Sequence, residues 1–303
     1  MSASPVSFAV AIGLGALACV CVLGPKILDR PAAPTAVAAG VSEVAERVPD
    51  RQPLPAPRPS VHPTGCGPVP ATLRRAPLSL DGFYQQYCDA NGFIIAGSSA
   101  VDTRALRVAK SRLDSMTSRL PSDVKNAMID AGVRFTLMAQ SEVTRDIPEF
   151  RNMRTPPDRQ DVNHTRGWFT SRHGVALSPE ENMLCLKDDG YRSSDVFVHE
   201  FAHALHRKGL SRVNPHFETR LERIYQAAMT AGRWKGSYAA TNRAEYWAVG
   251  VQTWYGLNGR KGRYPIRTRA ELKYYDAALH NLIAEHVPRQ PLLLCPGGRQ
   301  TAS

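Results

Sequence analysis

The segment around residue 200 carries the side chains best suited to chemistry. His199 and His203 are four residues apart, with Glu200 between them. Residues four apart lie on the same face of an α-helix, so both imidazoles can address one point, and zinc prefers such nitrogen ligands. Glu200 is turned about 100° from His199, which places it beside a metal rather than on it. This is the HExxH pattern of zinc peptidases, which predicts His199 and His203 as metal ligands and Glu200 as the base that activates water.

The same spacing also occurs in ordinary buried helices. The apolar neighbours of the motif would pack such a helix with or without a metal, so two core histidines and an exposed glutamate are the alternative. A catalytic zinc needs a third protein ligand and an open position. His206 stands where metzincins have glycine. That class of zinc peptidase is therefore excluded, and we expect His206 to pack or bond locally.

Two carboxylates could supply the third ligand. Glu222 follows His203 by 19 residues, close to the thermolysin-like spacing, and Glu245 follows it by 42. With Asn242 as a helix N-cap, Glu245 takes the third helical position, where a carboxylate commonly reaches back to the cap. The residues alone leave open whether Glu222 or Glu245 is the ligand, and whether Glu245 only caps its helix.

A resemblance favours Glu245. Tyr238 stands seven residues before Glu245 across a Thr-Asn turn, and an aromatic pair follows Glu245. Together with HExxH, this pattern resembles the catalytic domain of the anthrax lethal factor and Pro-Pro endopeptidase family, and a wider group of uncharacterised secreted proteins. The resemblance covers the segment from Asp195 to Tyr255. It implies a zincin-type endopeptidase that uses Zn²⁺, in which Glu245 is the third ligand and the Tyr238 hydroxyl polarises the scissile carbonyl.

One departure from that family concerns the surroundings of the metal. Members often carry a second glutamate four residues after the ligand, where this chain has Val249. Support for the ligands must then come from elsewhere, and such outer partners tune ligand orientation. Asp195, one turn before His199, is a candidate for this support, and it is equally well explained as a helix cap.

Apolar periodicity and capping residues predict the elements that carry these side chains. Strands are expected over 133–139 and 183–186, and helices are expected after Asp102, after Pro121, from Ser194 or Asp195 to near Gly209, and over 217–231, 243–255 and 269–286. Helices are concentrated in the C-terminal half, which indicates an α+β fold. Taken with the resemblance, this implies a zincin-like metallopeptidase domain at residues 77–290, with a mixed sheet and an HExxH active-site helix, and order is expected to begin near Leu78.

The first part of the chain has a different composition. Val6 to Leu23 is an uncharged apolar run, so residues 1–24 are predicted to be a signal or membrane-anchor segment. Residues 31–64 hold eight prolines and almost no aromatic residues. Such a segment cannot bury enough apolar surface to become ordered, so 25–76 is predicted to be a Pro/Ala-rich disordered linker. Residues 291–303 are expected to form a C-terminal tail.

The cysteines indicate whether the protein resides in an oxidising compartment. Those outside the apolar run are Cys66, Cys88, Cys185 and Cys295. They allow three pairings and fit one or two disulfides in an oxidising compartment, or buried thiols. Lys26 and Arg30, just after the apolar run, would by contrast place the body in the cytoplasm. We expect an extracytoplasmic body, membrane-anchored or secreted.

The formal net charge of +11 raises the question of a nucleic-acid partner. The basic residues are scattered and none of the common nucleic-acid motifs is present, so no such partner is expected. We expect a protein or peptide substrate, and contact with a membrane through the N-terminal helix. The alternatives are a membrane-tethered binding module with a structural or vestigial zinc site, and a basic surface-binding protein with a fortuitous HExxH.

Overall fold

A mixed β-sheet lies beneath the helices that carry the candidate site. The computed structural model of the chain describes residues 63–154, 163, 165–191, 194–259 and 264–292. The described strands lie in the spatial order β1-β2-β3-β4-β6-β5. In chain order they are β1 (Cys66–Pro68), β2 (Gln86–Ala90), β3 (Phe93–Gly97), β4 (Arg134–Met138), β5 (Trp168–Thr170) and β6 (Val175–Pro179). The centre of the sheet, β3, β4 and β6, is parallel, and the outer strands are antiparallel to their neighbours.

The central strands are buried on both faces. Every residue of β3, β4 and β6 is buried, as expected of parallel strands covered on two sides. In β4, Phe135 and Leu137 point into the cluster beneath the helices, whereas Met138 points into a smaller cluster on the other face. That smaller cluster includes Tyr84 and Phe150 from the loops. The sheet is therefore a rigid, two-sided base for the helices above it.

The described helices lie between and after the strands in the chain, and some of them pack against the sheet. They are α1 (Thr103–Thr117), α2 (Ser122–Asp130), α3 (Glu180–Leu184), α4 (Val196–Ala204), α5 (Ser211–Val213), α6 (Phe217–Thr230), α7 (Arg243–Trp254), α8 (Arg269–Tyr275) and α9 (Ala277–His286). A π-helical segment, Leu205–Leu210, continues α4, and a 3-10 turn, Tyr238–Ala240, precedes α7. The α+β class with a mixed sheet is thus confirmed, as are the predicted helices α1, α2, α4, α6 and α7.

The strand predicted over 183–186 is wrong. Met183 and Leu184 belong to α3, and the strand in this region is β6, which ends at Pro179. A short apolar run does not distinguish a strand from a buried helical turn. Here Glu180 and Glu181 occupy the first turn of the helix, where carboxylates favour helix formation.

The single helix predicted over 269–286 is also wrong, because it breaks into α8 and α9 at Asp276. This residue caps α9 by accepting a hydrogen bond from the backbone N–H of Leu279, at 3.2 Å. Its carboxylate also accepts hydrogen bonds from the Tyr246 hydroxyl, at 2.7 Å, and the Trp234 indole, at 2.9 Å. These partners come from distant parts of the chain, so helical periodicity could not reveal the break.

Order begins earlier in the chain than Leu78. Strand β1 lies within the segment that the sequence assigned to the linker, and it pairs with β2. Cys66 and Cys88 face each other across these strands and form a disulfide. Cys185 is likewise disulfide-bonded. Disulfides, one of the outcomes expected for these cysteines, are therefore present.

The predicted anchor at 1–24, the linker as far as residue 62 and the tail from residue 293 lie outside the described residues. Within the described part of the chain, no helix has both the length and the apolar character to span a bilayer.

Candidate metal centre

Polar contacts fix the start of helix α4. The Asp195 carboxylate caps the helix by accepting a hydrogen bond from the backbone N–H of Val198, at 2.9 Å. Its second oxygen forms a buried ion pair with Arg112 of α1. The Asn182 side-chain oxygen accepts from the backbone N–H of Val196, also at 2.9 Å. Backbone N–H groups that find acceptors at the start of a helix stabilise it. These contacts therefore fix where α4 begins and how it is oriented.

The sheet side of α4 is aromatic. Phe197 and Phe201 pack against Phe135 of β4, with ring centroids 5.2 and 6.2 Å apart. Two residues along a helix turn the side chain by about 200°. The histidines that follow these phenylalanines by two residues, His199 and His203, therefore point away from the sheet.

Helix α7 supplies the third candidate ligand. The Asn242 side-chain oxygen accepts from the backbone N–H groups of Ala244, at 2.9 Å, and Glu245, at 3.0 Å, and so caps the helix. The Trp247 indole donates to the backbone carbonyl of Ala202 in α4, at 2.9 Å. These contacts hold the first turn of α7 against α4 and direct Glu245 toward the histidines.

Three side chains converge where the helices meet. The Nε2 atoms of His199 and His203 lie 3.1 Å apart. The Glu245 carboxylate oxygen Oε2 lies 3.0 Å from Nε2 of His199 and 3.4 Å from Nε2 of His203. All three offer ligand atoms within 4.8 Å of one another, which is close enough to hold one metal ion. Two imidazole nitrogens and one carboxylate oxygen are a set that suits zinc.

Gln252 of α7 sets the tautomer of His199. The Gln252 amide nitrogen donates to the backbone carbonyl of Asp195, at 2.8 Å, and to the Ser194 hydroxyl, at 3.2 Å. Its oxygen must therefore be the atom that lies 3.1 Å from Nδ1 of His199. An amide oxygen only accepts, so Nδ1 carries a proton and donates it to this bond. Nε2 is then the nitrogen that is available to a metal, as in many metal-bound histidines.

The charges of the cluster favour the binding of a cation. Burial acts to raise the pKa of Glu245, but hydrogen bonds with His199 and His203 hold it well below its usual range. Burial lowers the pKa of His203. Burial also acts to lower the pKa of His199, but the Glu245 carboxylate outweighs it and raises that pKa. A metal ion held by these atoms requires both Nε2 atoms to be free of protons, so metal affinity should fall as the pH is lowered.

Glu200 lies beside this cluster, and its carboxylate is shielded from water. Burial raises the pKa of Glu200 to about 8, with His199 opposing the shift and Glu245 adding to it. The loop at Gly167 lies tightly against it, because a Cβ atom there would come within 2.3 Å of the Val196 side chain and 3.3 Å of the Glu200 carboxylate. A carboxylate kept out of water in this way is a strong proton acceptor.

The cluster opens into two cavities. The larger, of about 340 Å³, is lined by residues that include all three candidate ligands, Glu200 and Tyr238. The smaller, of about 200 Å³, shares His199, Glu200 and Tyr238 with it. The Tyr238 ring centroid lies 6.1 Å from that of His199, and the side chain is 44% exposed. Tyr225 anchors its turn by donating to the backbone carbonyl of Ala240, at 2.9 Å.

The other residues considered from the sequence lie elsewhere. Glu222 forms an ion pair with Arg243 at 3.1 Å and is not part of the cluster. His206 is fully buried and bonds to Glu218 of α6, with Nε2 2.7 Å from the carboxylate, so it packs outside the cluster as expected. Asp195 caps α4 and does not bond to the His199 side chain, so the support expected from its carboxylate comes from Gln252 instead.

Gln252 is the residue that sequence reasoning missed. It stands seven residues after Glu245 on α7, and two helical turns return a side chain to nearly the same face. A polar residue at that spacing on an otherwise apolar helix was the available signal. Val249, at the position of the family's second glutamate, is fully buried in the core.

Comparisons with known proteins add little to this geometry. No protein-family model matches the chain, and no curated protein matches it. Among solved structures, the chain is similar to the Pro-Pro endopeptidase from Paenibacillus alvei, with 16% sequence identity and a TM-score of 0.35. The match covers 63% of this chain and 94% of the other. So low a TM-score does not carry a functional assignment, which must come from the site itself.

Proposed function

We propose that this chain is a zinc-dependent endopeptidase of the zincin type. The observation that carries the proposal is the convergence of His199, His203 and Glu245, from two helices, beside the buried carboxylate of Glu200 and at the junction of two cavities. Three protein ligands and an open approach are the features that distinguish catalytic from structural zinc sites.

Each side chain has a role in peptide hydrolysis. His199, His203 and Glu245 would hold the metal, with Gln252 fixing the orientation of His199. A bound zinc ion supplies Lewis-acid polarisation of a carbonyl and acidifies water. Glu200 takes the proton from the attacking water and can pass it to the leaving amine. The Tyr238 hydroxyl donates a hydrogen bond to the oxyanion that develops on the substrate.

An edge strand beside the cleft favours a peptide substrate over a small molecule. Strand β5 lies at the edge of the described sheet, and its residues Trp168 and Phe169 line the larger cavity. An edge strand can pair with an extended peptide through main-chain hydrogen bonds. We therefore propose that a protein or peptide substrate lies along β5, with its scissile bond over the ligand cluster.

A binding module with a structural or vestigial zinc site is the alternative. A structural site closes with four protein ligands. Among the described residues, the metal-binding group contains three, and the buried Glu200 lines the same cavity. These features support the enzyme over the binding module.

We further propose that the catalytic body is extracytoplasmic, either secreted or tethered by residues 1–24. The disulfide between Cys66 and Cys88 supports an oxidising compartment. No nucleic-acid partner is proposed.

Replacing Glu200 by glutamine tests the function. The Glu200→Gln variant should bind zinc like the wild type and cleave a peptide library at least about a hundredfold more slowly, because general-base catalysis is typically worth 10²–10⁴. Zinc content by atomic absorption and cleavage by mass spectrometry are the measurements. Glu222→Gln removes the same charge outside the cluster and should remain active. Full activity of zinc-loaded Glu200→Gln would remove Glu200 from the mechanism.

A further inference from the structure

The larger cavity has a basic wall beyond His203. Arg207 follows His203 by four residues, near one helical turn, and lines this cavity together with Arg243 and Asn242. His206, its neighbour in the chain, points the other way into the core. The π-helical segment therefore presents a guanidinium to the cleft on the side of the cluster opposite to Val196.

The two arginines differ in their partners. Arg243 is neutralised by two carboxylates, at 3.0 Å from Glu218 and 3.1 Å from Glu222. Arg207 is exposed and has no carboxylate partner among the residues that the structure describes. A guanidinium offers five N–H donors and no acceptor. Among the described residues that line this cavity, the positive charge that remains available to a ligand therefore belongs to Arg207.

Other donors line the same wall. The Asn242 side-chain oxygen is engaged in capping α7, which leaves its amide N–H groups as donors. The Ser171 hydroxyl also lines the cavity. The smaller cavity has a different character in the described part of the chain, because the described residues of its lining include Val196, Tyr191 and Tyr264 and no arginine or lysine. Among the described residues, the hydrogen-bond donors of the larger cavity therefore include Arg207, Asn242 and Ser171.

We propose that Arg207 is a specificity-determining residue that binds a carboxylate side chain of the substrate, so that the enzyme prefers peptides with an acidic residue beside the scissile bond. This inference rests on the proposed peptidase function. Arginine binds carboxylates through paired, charge-assisted hydrogen bonds. The net charge of +11 acts in the same direction, because a strongly positive protein attracts acidic chains and accelerates their association.

Cleavage of a peptide library by the zinc-loaded protein tests the inference. Aspartate or glutamate should be enriched at one position next to the cleaved bond. A matched pair of peptides, with Asp or Asn at that position, should then differ by about tenfold or more in kcat/KM, the size expected for one charged hydrogen bond. The Arg207→Glu variant should lose or reverse this preference, and Arg207→Lys should keep part of it.

Controls separate recognition from folding and from catalysis. Arg212→Glu makes the same charge change on a neighbouring exposed residue that lines neither cavity, and it should leave the preference unchanged. The Arg207→Glu variant should bind zinc normally, and the ratio of its kcat/KM values for the Asp and Asn peptides, compared with the wild-type ratio, isolates recognition from any general change in rate. Added salt should weaken the preference for the Asp peptide in the wild type, because salt screens exposed charges.

The outcomes distinguish the two proposals. Efficient cleavage with no acidic enrichment, or an Arg207→Glu variant that still prefers the Asp peptide, would overturn the role of Arg207 and leave the peptidase intact. Failure of the zinc-loaded wild type to cleave any library peptide would overturn the peptidase function and, with it, this inference.

Discussion

Glu245 combines two tasks at the start of α7. Its backbone N–H is capped by Asn242, while its carboxylate turns to His199 and His203. The carboxylate is mostly buried, yet these imidazoles keep its pKa low, so it stays ionised. An ionised carboxylate facing two imidazoles is ready to share a cation with them.

Replacement of the two candidate carboxylates separates their roles. Glu245→Ala should strip zinc or weaken its binding severely, because it removes one of three ligands. Glu222→Ala removes a carboxylate that pairs with Arg243 on the surface and should leave zinc content near one per chain. Metal analysis after dialysis measures both variants. Zinc loss in Glu222→Ala with retention in Glu245→Ala would indicate a thermolysin-like ligand set instead.

Tyr238 should contribute to rate and not to metal binding. Tyr238→Phe removes one hydroxyl that lines both cavities and should lower kcat by about 10²–10³, the usual loss for one oxyanion donor. Zinc content should not change, because Tyr238 is not one of the three candidate ligands. Tyr274→Phe is the matched control, because Tyr274 is 88% exposed and lines neither cavity. An unchanged kcat in Tyr238→Phe would show that this hydroxyl does not contact the reacting carbonyl.

At the scale of elements, the site depends on how α7 docks against α4. The Trp247 indole and the Gln252 amide both bond to backbone carbonyls of the α4 segment, at 2.9 and 2.8 Å. The Arg112–Asp195 ion pair connects the start of α4 to α1. These contacts are buried, so they hold the two helices in one relative position while the ligands on them meet at the cleft.

Gln252 links this docking to the metal. Gln252→Met preserves size but removes the acceptor for Nδ1 of His199, so zinc affinity should fall by about 10–100-fold, the usual effect of losing such a partner. Competition with a chromophoric chelator measures the dissociation constant. Gln226→Met, on the exposed side of α6, makes the same chemical change and should have no effect. Equal zinc affinity in Gln252→Met and wild type would show that other contacts orient His199.

At the scale of the whole molecule, the boundary of the folded unit lies before β1. A fragment of residues 63–303 should be soluble and bind zinc, whereas 77–303 should have a lower melting temperature. The shorter fragment exposes the edge of β2 and loses a disulfide that links residues 22 apart, a type of bond typically worth about 2–4 kcal/mol. Thermal unfolding by circular dichroism measures both fragments.

A further variant separates the strand from the disulfide. Cys66→Ser with Cys88→Ser in the 63–303 fragment keeps β1 without the bond, and its melting temperature should lie between those of the two fragments. Equal melting temperatures for all three would show that the region before residue 77 does not stabilise the domain.

Much of the local structure could be predicted from the sequence. The caps at Asp102, Asp195 and Asn242 and the helices that follow them were predicted, because capping and helical periodicity depend on residues within one or two turns. The errors fell where a short apolar run does not distinguish a strand from a helix and where distant contacts decide. The strand expected over 183–186 is helical, and the helix expected over 269–286 breaks where Asp276 accepts hydrogen bonds from Trp234 and Tyr246.

The same distinction between local sequence and distant contacts applies to the candidate site. The sequence by itself determined that His199 and His203 share a face with Glu200 beside them, because four residues make about one turn of any helix. Only the tertiary structure decided that Glu245 and not Glu222 joins the histidines, and that Gln252 rather than Asp195 supports His199. Those choices depend on how α7 docks against α4, more than forty residues away in the chain, and docking is set by buried contacts between the two helices that no local pattern records.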